Sequence, residues 1–455
     1  MKTLNPNIFR QYDIRGIVGE DLDEKVSETL GRAFGSFVLD NGEKQVLVGC
    51  DNRLSSPNLK VALIQGLVST GCDVLDIGTT ITPVFYYARI RYNINPGIMV
   101  TASHNPGHFN GFKIGFGPGT IYGKEIQNLK KMMESENFVV GRGKVSQADP
   151  AEDYINMICS KIHLPRRLKV GIDCGNGTAS LYAEKLFNRL GVDVFPLYCN
   201  SDPNFPNHFP DPVKPDNLKV LRKLVLREAL DVGVGFDGDG DRIGVVDDSG
   251  NILFGDMLMI LFWREILPKY PGTTAIVEVK CSDALVEEIK KLGGNPVFYK
   301  TGHSLIKAKM RETGAVFTGE MSGHMFFADE YYGFDDALYA GARLLRILVN
   351  SEQKLSQLLS DVPKYHSTPE IRVPCPDEEK SSMVSSVKKY FKKKFPMIEV
   401  DGARVIFPDG WGLVRSSNTG PELIVRGESK TKQGLCKIIE ELKNALRPLY
   451  FDINI

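Results

Sequence analysis

Gln45-Val46-Leu47-Val48-Gly49-Cys50 opens a passage that the chain repeats. This apolar strand is followed by an amphipathic helix from Ser56 to Ser69 and a glycine-led second strand, Gly71-Cys72-Asp73-Val74-Leu75. A third strand, Gly97-Ile98-Met99-Val100, then runs into a polar loop at Ser103. The same order returns as Lys169 to Ile172, Ser180 to Leu190, Gly191 to Val194 and Val232 to Phe236, ending at Asp237. A third copy reads Thr274 to Val279, Ser282 to Leu292, Gly294 to Phe298 and Ala315 to Phe317, ending near Glu320. Strands alternating with helices of this length predict crossover units and sheets with parallel strands. Ligands of such sheets collect beyond the carboxyl ends of the strands, so the three polar loops are where chemistry is expected.

From about residue 364 the pattern changes. Pro369 to Val373, Gly402 to Phe407, Trp411 to Val414 and Leu423 to Val425 read as short strands, with helices from Ser381 to Phe395 and Thr431 to Leu446. The expected fold class is α/β: three similar α/β domains with mixed, partly parallel sheets around a central cleft, plus a C-terminal α+β domain. The expected domains are 1–148, 149–250, 251–363 and 364–455. Asp202 to Pro215, with five prolines, reads as an ordered surface connection inside the second domain.

At 455 residues the chain is several times a typical domain's length, enough for each unit to bury its own core. Its 56 basic and 56 acidic residues cancel, so no global field recruits nucleic acid or an anionic membrane. The eight cysteines are scattered, with no Cys-x-x-Cys pair, which points to buried thiols in a reducing compartment. Lys2, Asn5, Asn7 and Arg10 stand where a signal peptide needs an apolar core, and the greasy run Met257 to Trp263 is far shorter than a membrane span. A cytoplasmic protein, monomeric or a weak homodimer, is expected.

Asp237-Gly238-Asp239-Gly240-Asp241 places three carboxylates around two glycines. The glycines allow the backbone to curl and aim all three inward. Hard oxygen donors with no adjacent histidine or cysteine suggest magnesium or manganese. An EF-hand calcium loop also begins Asp-x-Asp-x-Asp, but its sixth position here is Arg242 and its twelfth Asp248. An acidic solvated turn is the plain alternative. Ser103 sits in Thr101-Ala102-Ser103-His104-Asn105-Pro106, where a serine is commonly a cap. Its neighbour His104 is expected to point away from it, and no Gly-x-Ser-x-Gly elbow surrounds it, so acyl transfer is not indicated. Beside a metal loop, however, a fixed hydroxyl suits phosphoryl transfer, which needs an oxygen nucleophile, a cation and charge neutralisation.

Together with Gly319-Glu320-Met321-Ser322-Gly323-His324 and Arg415-Ser416-Ser417-Asn418-Thr419-Gly420, these two stretches resemble, in order, the four signature loops of the α-D-phosphohexomutase superfamily. The resemblance runs from Tyr12-Asp13-Ile14-Arg15-Gly16 to the last domain and is strongest to the bacterial phosphomannomutase/phosphoglucomutase branch. It implies an intramolecular phosphotransferase of the isomerase class that interconverts hexose 1-phosphate and 6-phosphate, chiefly of mannose and glucose. The implied route passes through a phosphoserine and a hexose 1,6-bisphosphate that reorients in the cleft, with glucose 1,6-bisphosphate as activator. It implies that Ser103 is the phosphorylated serine and that Asp237, Asp239 and Asp241 hold Mg²⁺, with an oxygen on Ser103 completing the protein's share. Arg15, His104, Lys113 and Arg242 match the cationic and polar shell around the transferred group. Glu320 and Ser322 match residues that hold the sugar 3- and 4-hydroxyls, and Lys280, His303 and His324 match residues near phosphate or ring. His303 is either the group that moves the attacking hydroxyl's proton or a satisfied structural histidine. Arg415, Ser417, Asn418 and Thr419 have the composition of a phosphate cradle, with a polar hairpin turn as the plain alternative; the resemblance implies that Tyr12 and Arg415 would help close over the distal phosphate. Two rivals are a phosphoglucosamine mutase and a sugar-phosphate sensor without turnover. The run Lys388 to Lys394 is expected to be a solvated helix face opposite Val387, Tyr390, Phe391 and Phe395.

Overall fold

Burial on both faces marks the central strands. Gln45–Cys50 is buried at every position after Gln45, and Gly97–Val100 and Val232–Phe236 are buried throughout, as expected of strands covered by helices on both sides. A computed structural model describes residues 4–447; Lys2 and the outer ends of the expected domains 1–148 and 364–455 lie outside the described residues. The chain divides into one unit of residues 1–262 with 322–359 and a second of 263–321 with 360–455.

The first unit holds two mixed sheets. One runs in the order Ile14–Ile17, Phe109–Phe116, Gly97–Val100, Gln45–Cys50, Asp73–Thr79, Val145–Gln147, with Gly119–Thr120 pairing off Phe109–Phe116. Gln45–Cys50 lies parallel to both its neighbours, whereas Phe109–Phe116 is antiparallel to both of its own. The other sheet runs Ile252–Leu253, Ile243–Asp247, Val232–Phe236, Lys169–Asp173, Asp193–Leu197, and its last three strands are mutually parallel. In the second unit Thr274–Glu278 pairs parallel with Asn295–Tyr299. Its C-terminal part is an antiparallel sheet whose core also takes residues from the helices Lys380–Phe391 and Lys432–Leu446.

The repeated glycines act differently from the expectation. The second strand of each copy begins later than its glycine, as Asp73–Thr79, Asp193–Leu197 and Asn295–Tyr299. Gly71 and Gly191 sit at φ 103° and 83° and end the preceding helix instead, because a helix terminates most easily through a left-handed residue without a Cβ. The expected helix Ser180 to Leu190 is a 3₁₀ turn, Thr178–Leu181, followed by Ala183–Arg189. The third copy's last strand is Phe317–Gly319 rather than Ala315 to Phe317. The basic helix stops at Phe391, with Val387 and Phe391 buried and Lys389, Lys392, Lys393 and Lys394 exposed. No disulfide joins any of the eight cysteines, five of which are buried. Among the described residues no helix is long and apolar enough to cross a membrane.

One buried carboxylate inside the first unit has a pH signature. Asp336 caps the helix Ala337–Val349, accepting from the Tyr339 N–H at 2.9 Å, and also accepts the hydroxyls of Tyr154 and Tyr331 at 2.9 and 2.6 Å. Burial outweighs these donors and raises its pKa from 3.8 to about 6. A raised acid stabilises the fold fully below its unfolded value and loses that contribution as pH rises through the folded value, here a change of about 3 kcal/mol between pH 3.8 and about 6. Asp336→Asn keeps the cap without the ionisation. Thermal unfolding of the two proteins across this window should show the variant gaining on the parent as pH rises, and parallel curves would refute the assignment.

Candidate functional site

Two strand ends of the first unit bring its candidate residues together. Beyond Val100 the chain turns so sharply that Ser103 adopts φ 52°, left-handed backbone that is costly for a residue with a side chain. Its N–H donates to Thr101 Oγ1 at 2.9 Å. Beyond Phe236 the loop that carries the three aspartates passes close against this turn: a Cβ on Gly238 would stand 2.4 Å from the Ser103 carbonyl oxygen, so only glycine fits. That approach lets Ser103 Oγ donate to Asp237 Oδ2 at 2.7 Å.

Asp237, Asp239 and Asp241 are fully buried, and one oxygen from each lies within 4.8 Å of the others. The curl is held by Asp237 Oδ1, which accepts the N–H groups of Asp241 and Arg242 at 3.0 Å each. Lys113 enters from the neighbouring strand and bridges Asp239 Oδ2, at 2.6 Å, and Asp241 Oδ2. Thr82 donates to Asp239 Oδ2 at 2.6 Å. Burial and the charges of Asp241 and Asp239 push Asp237 well above the usual carboxylate range. Burial would raise Asp239 too, but the charge and hydrogen bond of Lys113 outweigh it and hold that group low. Asp239 Oδ1 and Asp241 Oδ1 are buried with no hydrogen-bond partner among the described residues. Buried carboxylate oxygens are normally satisfied, so two orphaned oxygens beside a third carboxylate fit a hard divalent cation, with Lys113 meeting the outer oxygens.

Cationic and polar groups surround the serine. Arg15 donates to Asn105 Oδ1 at 2.7 Å and to Asp13 at 2.6 Å. Arg242 Nε donates to His324 Nε2 at 2.9 Å, and Nη1 lies 3.4 Å from His104 Nε2. His324 Nδ1 faces Asp335 at 3.1 Å. The expectation that His104 points away from Ser103 is wrong: His104 Nδ1 lies 3.1 Å from Ser103 Oγ. The left-handed Ser103 backbone folds the two neighbouring side chains toward each other. Burial, then the charges of Arg242 and Arg15, hold His104 well below its ordinary pKa, so it is neutral. An arginine can only donate, so His104 Nε2 is the accepting nitrogen and Nδ1 carries the proton. His104 therefore donates to Ser103 Oγ, and the serine hydroxyl donates in turn to Asp237 Oδ2.

The second unit gathers another group. Glu320 Oε1 accepts the Gly302 N–H at 2.7 Å, just before the buried His303 opens the helix His303–Thr313. Lys280 is buried against Glu370 at 2.8 Å and Glu278 at 3.8 Å. Those two carboxylates outweigh burial and raise Lys280, while Lys280 leads the causes that lower Glu370 to about 2. Arg415 donates to Asp401 Oδ2 at 2.8 Å, which also accepts the Thr301 N–H at 3.1 Å. Asn418 reaches the Thr301 carbonyl at 3.1 Å. Ser417 Oγ accepts the N–H groups of Thr419 and Gly420 at 3.3 and 3.2 Å, which closes the turn. The stretch from Gly319 to His324 is divided between the units: Glu320 belongs to the second, while the half-buried Ser322 and the buried His324 belong to the first. Tyr12 is half-buried in the bend before Ile14–Ile17.

Four sequence families match the chain in order. They are described as phosphoglucomutase/phosphomannomutase alpha/beta/alpha domain I at residues 6–139, domain II at 152–250, domain III at 254–365 and the C-terminal domain at 370–445. A phosphomannomutase/phosphoglucomutase of Pseudomonas aeruginosa is 45% identical over 98% of this chain and 96% of its own. The chain belongs to the phosphoglucomutase/phosphomannomutase family. A phosphoglucomutase of Neisseria meningitidis is 41% identical, covering 97% of each chain. A crystal structure of a phosphoglucomutase/phosphomannomutase family protein from Burkholderia thailandensis superposes with TM-score 0.93 at 42% identity, covering 98% of both chains. Phosphoglucomutase/phosphomannomutase proteins are isomerase-class phosphotransferases that interconvert hexose 1- and 6-phosphates.

Sequence reasoning missed several groups beside the candidate residues of each unit in this phosphoglucomutase/phosphomannomutase family member. Arg53 donates to the Ser103 carbonyl at 2.7 Å, Thr82 caps Asp239, and Asp335 faces His324. In the second unit Glu370 and Asp401 partner Lys280 and Arg415. Arg53 does carry a signal, since it follows the first strand's carboxyl end just as Ser103 follows the third. The other four sit on helices and loops whose local pattern is unremarkable. The Gly238 approach is open to test: Gly238→Ala should push the two loops apart and lower turnover by about 100-fold. Retention of more than half the parent's rate would refute the close approach.

Proposed function

We propose that the protein interconverts hexose 1-phosphate and hexose 6-phosphate, chiefly of mannose and glucose, by passing a phosphoryl group through Ser103. The observation that carries this reading is the 2.7 Å contact between Ser103 Oγ and Asp237 inside a buried acid triplet. In the phosphorylated enzyme the Oγ–P bond of Ser103 breaks as the free sugar hydroxyl forms its own O–P bond and gives up its proton, yielding a hexose 1,6-bisphosphate. After the bisphosphate reorients, its other phosphate returns to Ser103 and the isomeric monophosphate leaves. A shift of this kind demands positioning and charge compensation more than covalent help from the protein.

Asp237, Asp239 and Asp241, with an oxygen on Ser103, would hold Mg²⁺. Such an ion supplies compensation for the charge on the phosphoryl oxygens. Arg15, Lys113 and Arg242 add fixed positive charge, and the neutral His104 contributes a hydrogen bond to Ser103 Oγ rather than a charge. We assign Glu320 and Ser322 to the sugar 3- and 4-hydroxyls, because a carboxylate and a hydroxyl can serve two adjacent hydroxyls at once. Lys280 and His324 go to phosphate or ring, and His303 to the proton of the attacking hydroxyl. The distal phosphate falls to Arg415, Ser417, Asn418 and Thr419, with Tyr12 closing over it. On this reading the proposed domains 1–148, 149–250, 251–363 and 364–455 would each supply one signature loop. Glucose 1,6-bisphosphate would act as activator by recharging Ser103.

Ser103→Ala should lose nearly all mutase activity while sugar-phosphate binding stays measurable, and full turnover in that variant would remove the serine from the mechanism. Asp239→Asn should raise the Mg²⁺ concentration for half-maximal rate by about tenfold or more, against an unchanged requirement if the triplet holds no metal. A coupled assay on the 1-phosphates of glucose, mannose and glucosamine, with and without glucose 1,6-bisphosphate, tests the substrate class. Faster turnover of the glucosamine ester than of the mannose ester would reassign it.

A further inference from the structure

The three residues that follow the strand Gln45–Cys50 touch both loops of the reacting centre. Arg53 is buried, and every guanidinium N–H is directed at an oxygen. Nε donates to Asp51 Oδ2 at 3.1 Å, Nη2 to the carbonyls of Ser103 and Asn105 at 2.7 and 2.6 Å, and Nη1 to those of Pro106 and Phe109 at 2.8 and 3.2 Å. Phe205, from the proline-rich connection, covers the guanidinium at 5.6 Å. Asp51 is itself fixed, accepting the Arg53 N–H at 3.0 Å and the Ser56 hydroxyl. Asn52 turns the opposite way. Its N–H donates to Thr178 Oγ1 at 2.9 Å and its amide to the Asn176 carbonyl and Ser201 Oγ at 2.8 Å each. The Thr178 N–H in turn donates to the Gly238 carbonyl at 2.8 Å, inside the metal loop.

We propose that Asp51-Asn52-Arg53 is a positioning clasp that sets the separation between Ser103 Oγ and the acid triplet. The proposal rests on Ser103 being the phosphoryl carrier. Neither Asn52 nor Arg53 contacts the reacting atoms. Arg53 binds only the backbone of the serine loop and holds Ser103 in its left-handed conformation, while Asn52 holds the turn that braces Gly238. Phosphoryl transfer depends on alignment, and a displacement near 1 Å at such a centre costs about 100-fold in rate. A lysine cannot replace Arg53, since an ammonium has three donors and no planar fork to span four carbonyls.

The test uses full-length Mg²⁺-loaded protein with Arg53→Lys and Asn52→Ala, each measured for thermal unfolding, kcat and KM on glucose 1-phosphate, and Ser103 phosphate content by intact mass. Arg53→Lys should lower kcat per folded, phosphorylated enzyme by about 100-fold, with KM changed less than about threefold. Asn52→Ala, at a half-buried position, should fold normally, lower kcat by about tenfold and shift the Mg²⁺ dependence upward. A merely structural role would lower the folded fraction but leave kcat per folded enzyme and the Mg²⁺ dependence at parent values, and that result overturns the clasp. Should Arg53→Lys fail to fold, Asn52→Ala decides by the same criterion. Normal turnover in Asn52→Ala beside an inactive Ser103→Ala strikes the clasp alone, whereas full activity in Ser103→Ala strikes the reading of the site and the clasp with it.

Discussion

Three buried carboxylates with oxygens inside 4.8 Å of one another are the constraint around which the first unit is built. Burying an ionised carboxylate without a partner costs several kcal/mol, and a cluster of like charges adds to that cost. Lys113 answers two of the three, and it can do so because the antiparallel register places it opposite Met99, one strand away from the serine loop. Asp237 is answered differently, by two backbone N–H groups and the Ser103 hydroxyl. What is left over is one oxygen on Asp239 and one on Asp241 that no described group hydrogen-bonds, the latter 3.6 Å from His324 Nδ1. The same feature that makes the loop expensive to fold makes it receptive to a divalent cation.

Charge around the serine is graded. Arg15, Arg242 and Lys113 supply positive groups, while His104, beside Arg242 and Arg15, is kept neutral by burial and those charges. A neutral imidazole there donates one hydrogen bond without adding another positive charge to an already crowded shell. The Ser103–His104 contact has the look of a nucleophile and its base, yet the proton runs the other way, with Asp237 as acceptor for the hydroxyl. In the second unit the pattern is one of paired opposites, Lys280 with Glu370 and Arg415 with Asp401. Each cation is held in place by a carboxylate that sequence inspection gave no reason to choose.

Much of the fold could be read in advance because its signals are local. Apolar runs, turn glycines and alternating helix patterns placed most strands within a few residues, and the systematic error was itself local: Gly71 and Gly191 cap helices rather than open strands. The acid triplet and the serine were likewise visible, since each is a short string whose composition has few other uses. Thr82 was not, because it contributes through Asp239, a partner that lies far along the chain.

The order of amino acids alone settled the kind of architecture, the family loops and the hard-oxygen character of the acid triplet, all of which depend on neighbours within a few positions. Tertiary structure decided which atoms meet: that Gly238 passes the Ser103 carbonyl with no room for a methyl group, that Lys113 lands between two aspartates, and that His104 faces Ser103 instead of turning from it. Those outcomes follow from sheet order, register and one left-handed residue, which arise only when distant strands pair and which no local pattern encodes.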